Sequence, residues 1–325
     1  MEKLIILLIV LIIVYLLAKK LLRGQIKDRL YQPIKHHLKL REVEYRDIYL
    51  NVKTNKYLLI TGGTKDLSLS PLYINVWYLH KFVGRPIVLY FHGNSYNISY
   101  RKYMIDICNL LNLNLFLVDY RGYGKSMGQA SAENVIIDAE ASYRFLIKEG
   151  NSPQDIIVWG ESLGGSPACY VASKYGVRSL ILLSTFSSLH DLMTDNSNPI
   201  RESAFWFLRF ITTDINHLTN NKIMMRKVSC PVLLFHSKED RIIPYSHATQ
   251  LKSEAITSSS VELITIEGDH DSPKITADDF SKLTEILQIT VEREKLSFIV
   301  KIIDSLSFVA EESNKKWQRS ENNSY

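Results

Sequence analysis

Short apolar runs alternate with amphipathic helical stretches from residue 86 onward, and this alternation constrains the fold more strongly than any other feature of the chain. Strands are predicted at six of the runs: Pro86–Phe91, Asn114–Asp119, Ile156–Trp159, Ser179–Leu183, Pro231–Phe235 and Val261–Ile266. Helices are predicted between and after them: Ile98–Leu111, Ser131–Lys148, Leu163–Lys174, Tyr245–Ala255, Ala277–Glu292 and Leu296–Val309. Such alternation builds a mostly parallel sheet covered by helices on both faces, so the predicted fold class is α/β.

Three earlier runs and one interruption modify this sheet. The earlier runs are predicted to form antiparallel edge strands: Val43–Val52, Tyr57–Ile60 and Tyr73–Leu79. Residues 186–227 lie between two strands, break the alternation and are rich in aromatic side chains: Phe186, Phe205, Trp206, Phe207 and Phe210. This stretch is predicted to form a small helical cap over the carboxyl edge of the sheet.

The positive charge of the chain is concentrated at its N-terminus. The formal net charge is +5, but residues 1–41 carry nine Lys or Arg side chains against only Glu2 and Asp28, which leaves the remaining chain mildly acidic. This distribution argues against nucleic-acid binding and favours a segment that lies beside anionic lipid headgroups.

An apolar run of 15 residues, Leu4–Ala18, precedes most of this charge. A cleaved signal peptide is one interpretation, but Lys19 and Lys20 stand where a small-residue cleavage site is expected. We therefore predict an uncleaved transmembrane anchor and, from the positive-inside bias, a single-pass membrane protein whose folded domain faces the cytoplasm. The predicted division is an anchor over 1–22, a basic juxtamembrane segment over 23–41, one folded domain over 42–310 and a polar tail over 311–325.

No cofactor or metal ion is predicted. The three cysteines show neither paired nor metal-binding spacing: Cys108, Cys169 and Cys230. Gly124-Lys125-Ser126 is similar to the end of a phosphate-binding loop, but Asp119 stands where the first glycine of such a loop is required.

A serine stands between two glycines where a predicted strand meets a predicted helix. The pentapeptide is Gly160-Glu161-Ser162-Leu163-Gly164. Its two glycines leave room for a tight strand-to-helix turn that exposes the serine hydroxyl in a cleft and places a helix N-terminus beside it. Ser162 is therefore the candidate nucleophile, and the alternative is a serine in an ordinary turn.

Serine is a weak nucleophile at neutral pH and needs a histidine base that a carboxylate orients. Asp240 follows the strand at Pro231–Phe235, and His270 follows the strand at Val261–Ile266. The order serine, acid, histidine is one in which such triads occur. We predict that His270 is the general base and that Asp240 orients it.

Other acids and histidines are alternatives to this assignment. Glu239 is adjacent to Asp240, whereas Asp269 and Asp271 flank His270 too closely to brace its ring. His236 stands at a strand end and is interpreted as a core histidine with a satisfied hydrogen bond. The remaining histidines outside the loop after Pro86–Phe91 are interpreted as surface or structural: His36, His37, His80, His190, His217 and His247.

An oxyanion formed at the serine would need two amide donors. Leu163, the residue after the nucleophile, supplies one by its position. The loop His92-Gly93-Asn94-Ser95 is the expected source of the other, through the N–H of Asn94 or Ser95. His92 is predicted to brace this loop, and the alternative is a turn without a catalytic role.

Three segments carry a family resemblance. Tyr90-Phe91-His92-Gly93-Asn94, Val118-Asp119-Tyr120-Arg121-Gly122-Tyr123-Gly124-Lys125-Ser126 and Gly160-Glu161-Ser162-Leu163-Gly164-Gly165 resemble, in this order, the Bem46-like branch of α/β-hydrolases. The likeness covers roughly Ile87 to His270. It implies the α/β-hydrolase fold and a serine hydrolase with the triad and oxyanion positions given above, and some related branches act as protein depalmitoylases or acylglycerol lipases.

The residues and the resemblance together predict a membrane-anchored serine hydrolase. An aromatic cap beside an anchor favours a carboxylic ester or thioester with a lipophilic acyl group as substrate. The same triad hydrolyses amides, so a serine peptidase is an alternative. A non-catalytic membrane scaffold is a second alternative, although a binding module has no need of all three triad residues.

Overall fold

The computed structural model of the chain describes residues 9–10, 12–14, 16–17, 20, 30–40, 43–53, 57–59, 72–194, 218–292 and 295. The strands in this part of the chain are β1 (Gln32–Pro33), β2 (Arg46–Asn51), β3 (Tyr57–Leu59), β4 (Tyr73–Leu79), β5 (Ile87–Phe91), β6 (Ser95–Tyr96), β7 (Asn114–Val118), β8 (Ile156–Glu161), β9 (Ser179–Leu183), β10 (Val232–Ser237) and β11 (Val261–Ile266). The α-helices are α1 (Lys102–Leu110), α2 (Ala132–Lys148), α3 (Gly165–Lys174), α4 (Leu189–Thr194), α5 (Asn221–Met225), α6 (Ser246–Glu254) and α7 (Ala277–Ile286).

Nine of these strands form one sheet in the order β11-β10-β9-β8-β5-β7-β4-β2-β3. The strands from β11 to β7 are parallel, and β4, β2 and β3 continue the sheet in antiparallel pairs. The predicted parallel sheet with an antiparallel edge is therefore confirmed. The short strands β1 and β6 pair with each other outside this sheet.

Both faces of the sheet are buried because its central strands are apolar at successive positions. On β5, Leu89 and Phe91 belong to one core cluster, and Val88 and Tyr90 belong to the other. Helices α2, α3 and α6 contribute residues to the first cluster, whereas α1 and α7 contribute to the second. This arrangement follows from side chains alternating between the two faces of a strand, each of which needs a helical cover.

Part of the predicted juxtamembrane segment packs against the folded domain. Asn97 Nδ2 donates to the carbonyl oxygens of Ile34 and His36 at 2.9 and 2.7 Å. Lys35 Nζ donates to the carbonyl oxygen of Ser126 at 2.7 Å. Through these hydrogen bonds, residues 34–36 lie along the loops that follow β5 and β7.

The expected single-pass membrane topology is wrong. No helix in the described part of the chain is long and apolar enough to cross a bilayer.

Several predictions fall on residues outside the described part of the chain. They are most of the segments 1–22 and 23–29, residues 195–217 of the cap, the helix at Leu296–Val309 and the tail 311–325. Of the cap, the structure describes the two flanks, which contain α4 and α5.

A buried ion pair joins the loop after β7 to α2. Arg121 Nε donates to Asp138 Oδ1 at 2.7 Å, and the Arg121 amide donates to Asp138 Oδ2 at 2.8 Å. Replacing Arg121 with methionine is expected to lower the free energy of unfolding by about 3–5 kcal/mol, because Asp138 is left buried without its partner. Urea unfolding measures this loss. The double variant Arg121→Met/Asp138→Leu should recover most of it, and failure to recover would contradict the role of the pair.

Candidate active site

The candidate catalytic residues meet at the carboxyl edge of the parallel strands. Ser162 follows β8, Asp240 lies in the loop after β10, and His270 lies in the loop after β11. The loop that begins at His92 follows β5, which is the neighbour of β8 in the sheet. Loops after parallel strands emerge at one edge, so residues far apart in sequence converge there.

Ser162 has a backbone conformation that non-glycine residues rarely adopt. Its φ is +51°, in the left-handed region, and it begins a 3₁₀ turn that leads into α3. Gly164 allows the turn to pass close to β5, since a Cβ there would lie 2.0 Å from the carbonyl oxygen of Phe91. Thr185 Oγ1 donates to the carbonyl oxygen of Ser162 at 2.6 Å. Close packing and this hydrogen bond together hold the strained turn in place.

Ser162, His270 and Asp240 form a continuous chain of hydrogen bonds. Ser162 Oγ lies 3.0 Å from His270 Nε2, and His270 Nδ1 lies 2.8 Å from Asp240 Oδ2. A carboxylate oxygen accepts, so Nδ1 carries the hydrogen and Nε2 is left as an acceptor for the serine hydroxyl. This is the tautomer that lets a histidine act as a base towards serine.

Asp240 is kept ionised by several donors. Its Oδ1 accepts hydrogen bonds from the amides of Ile242 and Ile243 at 2.9 and 2.7 Å. Burial alone would raise the pKa of Asp240, but the histidines at 236 and 270 and the Ile243 amide outweigh burial and hold the pKa well below its usual value. The carboxylate is therefore charged at neutral pH.

His270 is more basic than an ordinary histidine. Burial of the ring opposes its charged form, but the hydrogen bond and negative charge of Asp240 outweigh burial and raise the pKa of His270 above its usual 6.5. Asp271 and Glu161 add to the same effect through their charge. A raised pKa makes His270 a stronger base once it is neutral.

One predicted oxyanion donor is the residue after Ser162, and the others follow a loop residue that lies close to Ser162. Leu163 is the next residue in the 3₁₀ turn and is buried. A Cβ on Gly93 would lie 3.6 Å from Ser162 Cβ, so the loop that continues into Asn94 and Ser95 passes the serine at Gly93. Ser95 also begins β6.

The alternative acids contact other groups. Glu239 Oε2 accepts from the amide of Gly268 at 3.3 Å, and Asp269 Oδ1 accepts from the amide of Arg241 at 2.9 Å. His236 Nε2 donates to the carbonyl oxygen of Ile243 at 2.7 Å and lies 3.4 Å from Asp240 Oδ2. His236 is therefore a core histidine with a hydrogen bond, as expected, but it also supports Asp240, which the sequence analysis missed.

A polar cluster next to the nucleophile was also missed. The hydroxyls of Tyr90 and Tyr103 both donate to Glu161 Oε2 and lie 2.7 Å from each other. Burial alone would raise the pKa of Glu161, but the charge of Arg101 and the two hydroxyls lower it below its usual value. Glu161 was visible in the sequence only as a variable position of the pentapeptide, and no periodicity links it to Tyr90 or Tyr103.

Comparisons with known proteins show what the chain is similar to. Residues 86–209 match the model of the alpha/beta hydrolase fold family. The alpha/beta hydrolase domain-containing protein 17C of Xenopus tropicalis is 30% identical over 207 residues, which are 63% of this chain and 62% of that protein. Protein bem46 of Schizosaccharomyces pombe is 34% identical over 166 residues, covering 50% of this chain and 53% of its own. The chain thus spans between half and two thirds of these relatives.

A solved structure shows the same fold at low identity. The Pyrococcus furiosus esterase Pf2001 superposes with a TM-score of 0.60 at 17% identity, covering 80% of this chain and 97% of the esterase. At this identity the likeness concerns the fold. The matched family model, the curated relatives and the shared sheet all indicate the α/β-hydrolase fold, and the curated relatives support the Bem46-like assignment that the sequence motifs suggest.

Proposed function

We propose that the chain is a serine hydrolase that cleaves carboxylic esters or thioesters. The observation that carries this proposal is the hydrogen-bonded chain from Ser162 Oγ through the His270 ring to Asp240 Oδ2, with distances of 3.0 and 2.8 Å. A nucleophile, a base and an orienting carboxylate at these distances are the components of acyl transfer through a covalent intermediate.

The proposed reaction has two halves. Ser162 Oγ attacks the substrate carbonyl while His270 Nε2 takes its proton, and the amides of Leu163 and of Asn94 or Ser95 stabilise the tetrahedral oxyanion. His270 then protonates the leaving alcohol or thiol, and an acyl-serine remains. Water then attacks this ester while His270 Nε2 takes its proton. The bond between the acyl carbon and Ser162 Oγ breaks as His270 returns the proton to Ser162 Oγ, and the acid is released. Asp240 holds the imidazole throughout and stabilises its charged form.

A lipophilic acyl group is the proposed substrate class. Phe186, Leu189 and Ile243 form a separate apolar cluster, against which Leu192 and Met193 of α4 also pack. The Ile243 amide donates to Asp240, so this cluster adjoins the candidate triad. The three core side chains of this cluster are buried, so they give the triad apolar surroundings, which favour an alkyl chain over a polar acyl group.

The test is a series of p-nitrophenyl esters from acetyl to palmitoyl, hydrolysed by the full chain, together with labelling by a fluorophosphonate. We expect kcat/KM to rise as the acyl chain lengthens beyond acetyl, because each buried methylene adds about 0.8 kcal/mol of binding. Fluorophosphonate is expected to form a single adduct, which peptide mass spectrometry would locate at Ser162.

Matched amide and thioester substrates separate the neighbouring activities. Faster cleavage of an acyl anilide than of the matched ester would favour a peptidase instead. Absence of both turnover and fluorophosphonate labelling would contradict the proposal and favour a non-catalytic protein with this fold.

A further inference from the structure

Four consecutive carbonyl oxygens of the loop 92–95 accept hydrogen bonds from side chains. The donors are Tyr120 Oη to His92 O at 2.8 Å, His92 Nδ1 to Gly93 O at 2.7 Å, Tyr123 Oη to Asn94 O at 2.7 Å, and Arg101 Nη2 to Ser95 O at 2.9 Å. We call Tyr120, His92, Tyr123 and Arg101 the loop donors. A run of side-chain donors to successive carbonyls is unusual, because a surface loop ordinarily leaves such groups to water.

Holding a carbonyl also orients the next amide. The peptide unit is planar and trans, so the C=O of one residue and the N–H of the next point in opposite directions. The bond from Tyr123 to the carbonyl of Asn94 therefore sets the direction of the Ser95 amide. The bond from His92 to the carbonyl of Gly93 does the same for the Asn94 amide.

The loop donors lie on the interior side of the loop. Tyr120 and Tyr123 are fully buried, and the ring of His92 packs against both, with centroids 4.5 and 5.1 Å away. Carbonyls that point into this interior leave the intervening amides facing the opposite side. Ser162 adjoins this loop at Gly93, with 3.6 Å between its Cβ and a Cβ placed on that glycine.

Charged groups lie beside two of the loop donors, His92 and Arg101. His92 Nε2 lies 3.5 Å from Asp119 Oδ1, and Asp119 Oδ1 accepts from the amide of Ile98 at 2.8 Å. The positive charge of Arg101 acts on Glu161, the residue before the nucleophile. Arg101 thus bonds Ser95 in the loop and also lies near Glu161, the residue before Ser162.

We propose that Tyr123 is a positioning residue for the oxyanion site: its hydroxyl, through the carbonyl of Asn94, aims the Ser95 amide at the developing oxyanion. This inference rests on the proposed hydrolase function. Asn94 O also accepts from the amide of Gln32 at 3.1 Å, so loss of the hydroxyl loosens the loop without freeing it. The expected effect is thus smaller than the roughly 10²–10³ loss in kcat that follows removal of an oxyanion donor itself.

The test is Tyr123→Phe in the full chain, which removes only the hydroxyl. With the best p-nitrophenyl ester, kcat per fluorophosphonate-titrated site is expected to fall about tenfold while KM stays within about twofold. Affinity for a trifluoromethyl ketone with the same acyl chain is expected to fall by about the same tenfold, because its adduct carries the tetrahedral oxyanion. A purely structural role would lower the number of titrated sites and leave both quantities per site unchanged.

Two further variants complete the experiment. Tyr78→Phe is the matched control, since Tyr78 is a buried tyrosine of β4 whose hydroxyl bonds Asn151, outside the loop donors. Tyr78→Phe should change neither kcat per titrated site nor the affinity for the ketone. Arg101→Lys keeps the charge beside Glu161 but shortens the reach to Ser95 O. The peptide unit of that carbonyl carries the Tyr96 amide, so the fall in kcat and ketone affinity should be smaller than in Tyr123→Phe.

The outcomes separate the two proposals. Suppose that the wild type is active and that Tyr123→Phe and Arg101→Lys keep kcat and ketone affinity within about twofold. This result would overturn the positioning role and leave the proposed function standing. A wild-type chain that neither hydrolyses the esters nor binds the ketone would overturn the proposed function and the positioning role with it.

Discussion

Replacing Ser162 with alanine is expected to lower kcat for the best ester by a factor on the order of 10⁴ to 10⁶, because no other group can form the acyl intermediate. The fold should persist, since the hydroxyl contacts only His270 among the hydrogen bonds described for it. Ester turnover and fluorophosphonate labelling measure the loss. Ser173→Ala is the matched control, because Ser173 Oγ bonds the carbonyl of Tyr170 on α3 and lies outside the site.

The same position allows the backbone strain to be measured. Alanine retains a Cβ at φ +51°, whereas glycine adopts this region without a steric cost. Ser162→Gly is therefore expected to unfold with a free energy up to about 1 kcal/mol higher than Ser162→Ala. Equal stabilities of the two variants would contradict strain at the turn, and full activity of either variant would contradict Ser162 as nucleophile.

Replacing Asp240 with asparagine is expected to lower kcat by about 10⁴ at neutral pH. An asparagine amide can donate to His270 Nδ1, which favours the tautomer whose Nε2 carries a hydrogen and cannot accept the serine proton. Glu239→Gln is the matched control, because the neighbouring carboxylate bonds the amide of Gly268 and not the His270 ring. A large loss of kcat in Glu239→Gln, with kcat retained in Asp240→Asn, would show that Glu239 and not Asp240 orients His270.

The pH profile reports the same interaction. His270 acts as a base only when neutral, so kcat/KM of the wild type should rise with pH through an apparent pKa above 6.5, in the direction that Asp240 shifts it. In Asp240→Asn the residual activity should rise at lower pH, because the hydrogen bond and the negative charge that raise the pKa of His270 are gone. If the apparent pKa of the pH profile is the same in Asp240→Asn as in the wild type, a group other than His270 controls the profile.

The pKa shifts of His270 and Asp240 also predict that stability depends on pH in opposite directions. The raised pKa of His270 stabilises the fold at pH below the unfolded value, and this contribution disappears as pH rises through the folded pKa. The lowered pKa of Asp240 stabilises the fold above the unfolded value and is lost as pH falls. The pair should therefore contribute most between the ordinary pKa values of aspartate and histidine, 3.8 and 6.5.

Strand positions were predictable because they depend on local composition. Ser179–Leu183 and Val261–Ile266 coincide with β9 and β11, and Tyr73–Leu79 coincides with β4. Helix starts were less predictable. The stretches at Ile98 and Leu163 open with 3₁₀ turns whose place depends on caps such as Asn97 and on contacts with other strands. The membrane topology predicted from the apolar N-terminal run was wrong, because no helix in the described part of the chain is long and apolar enough to cross a bilayer.

The sequence by itself determined the order of the strands along the chain, the chemical type of each candidate site residue and the strand each one follows. Those properties are local, so composition and spacing report them. The tertiary structure alone decided the +51° φ of Ser162, the link from His236 to Asp240, and the direction of the loop carbonyls towards Tyr120, Tyr123 and Arg101. Composition and spacing do not report these contacts. They form only when the parallel strands bring their carboxyl ends, and the loops that follow, to one edge of the sheet.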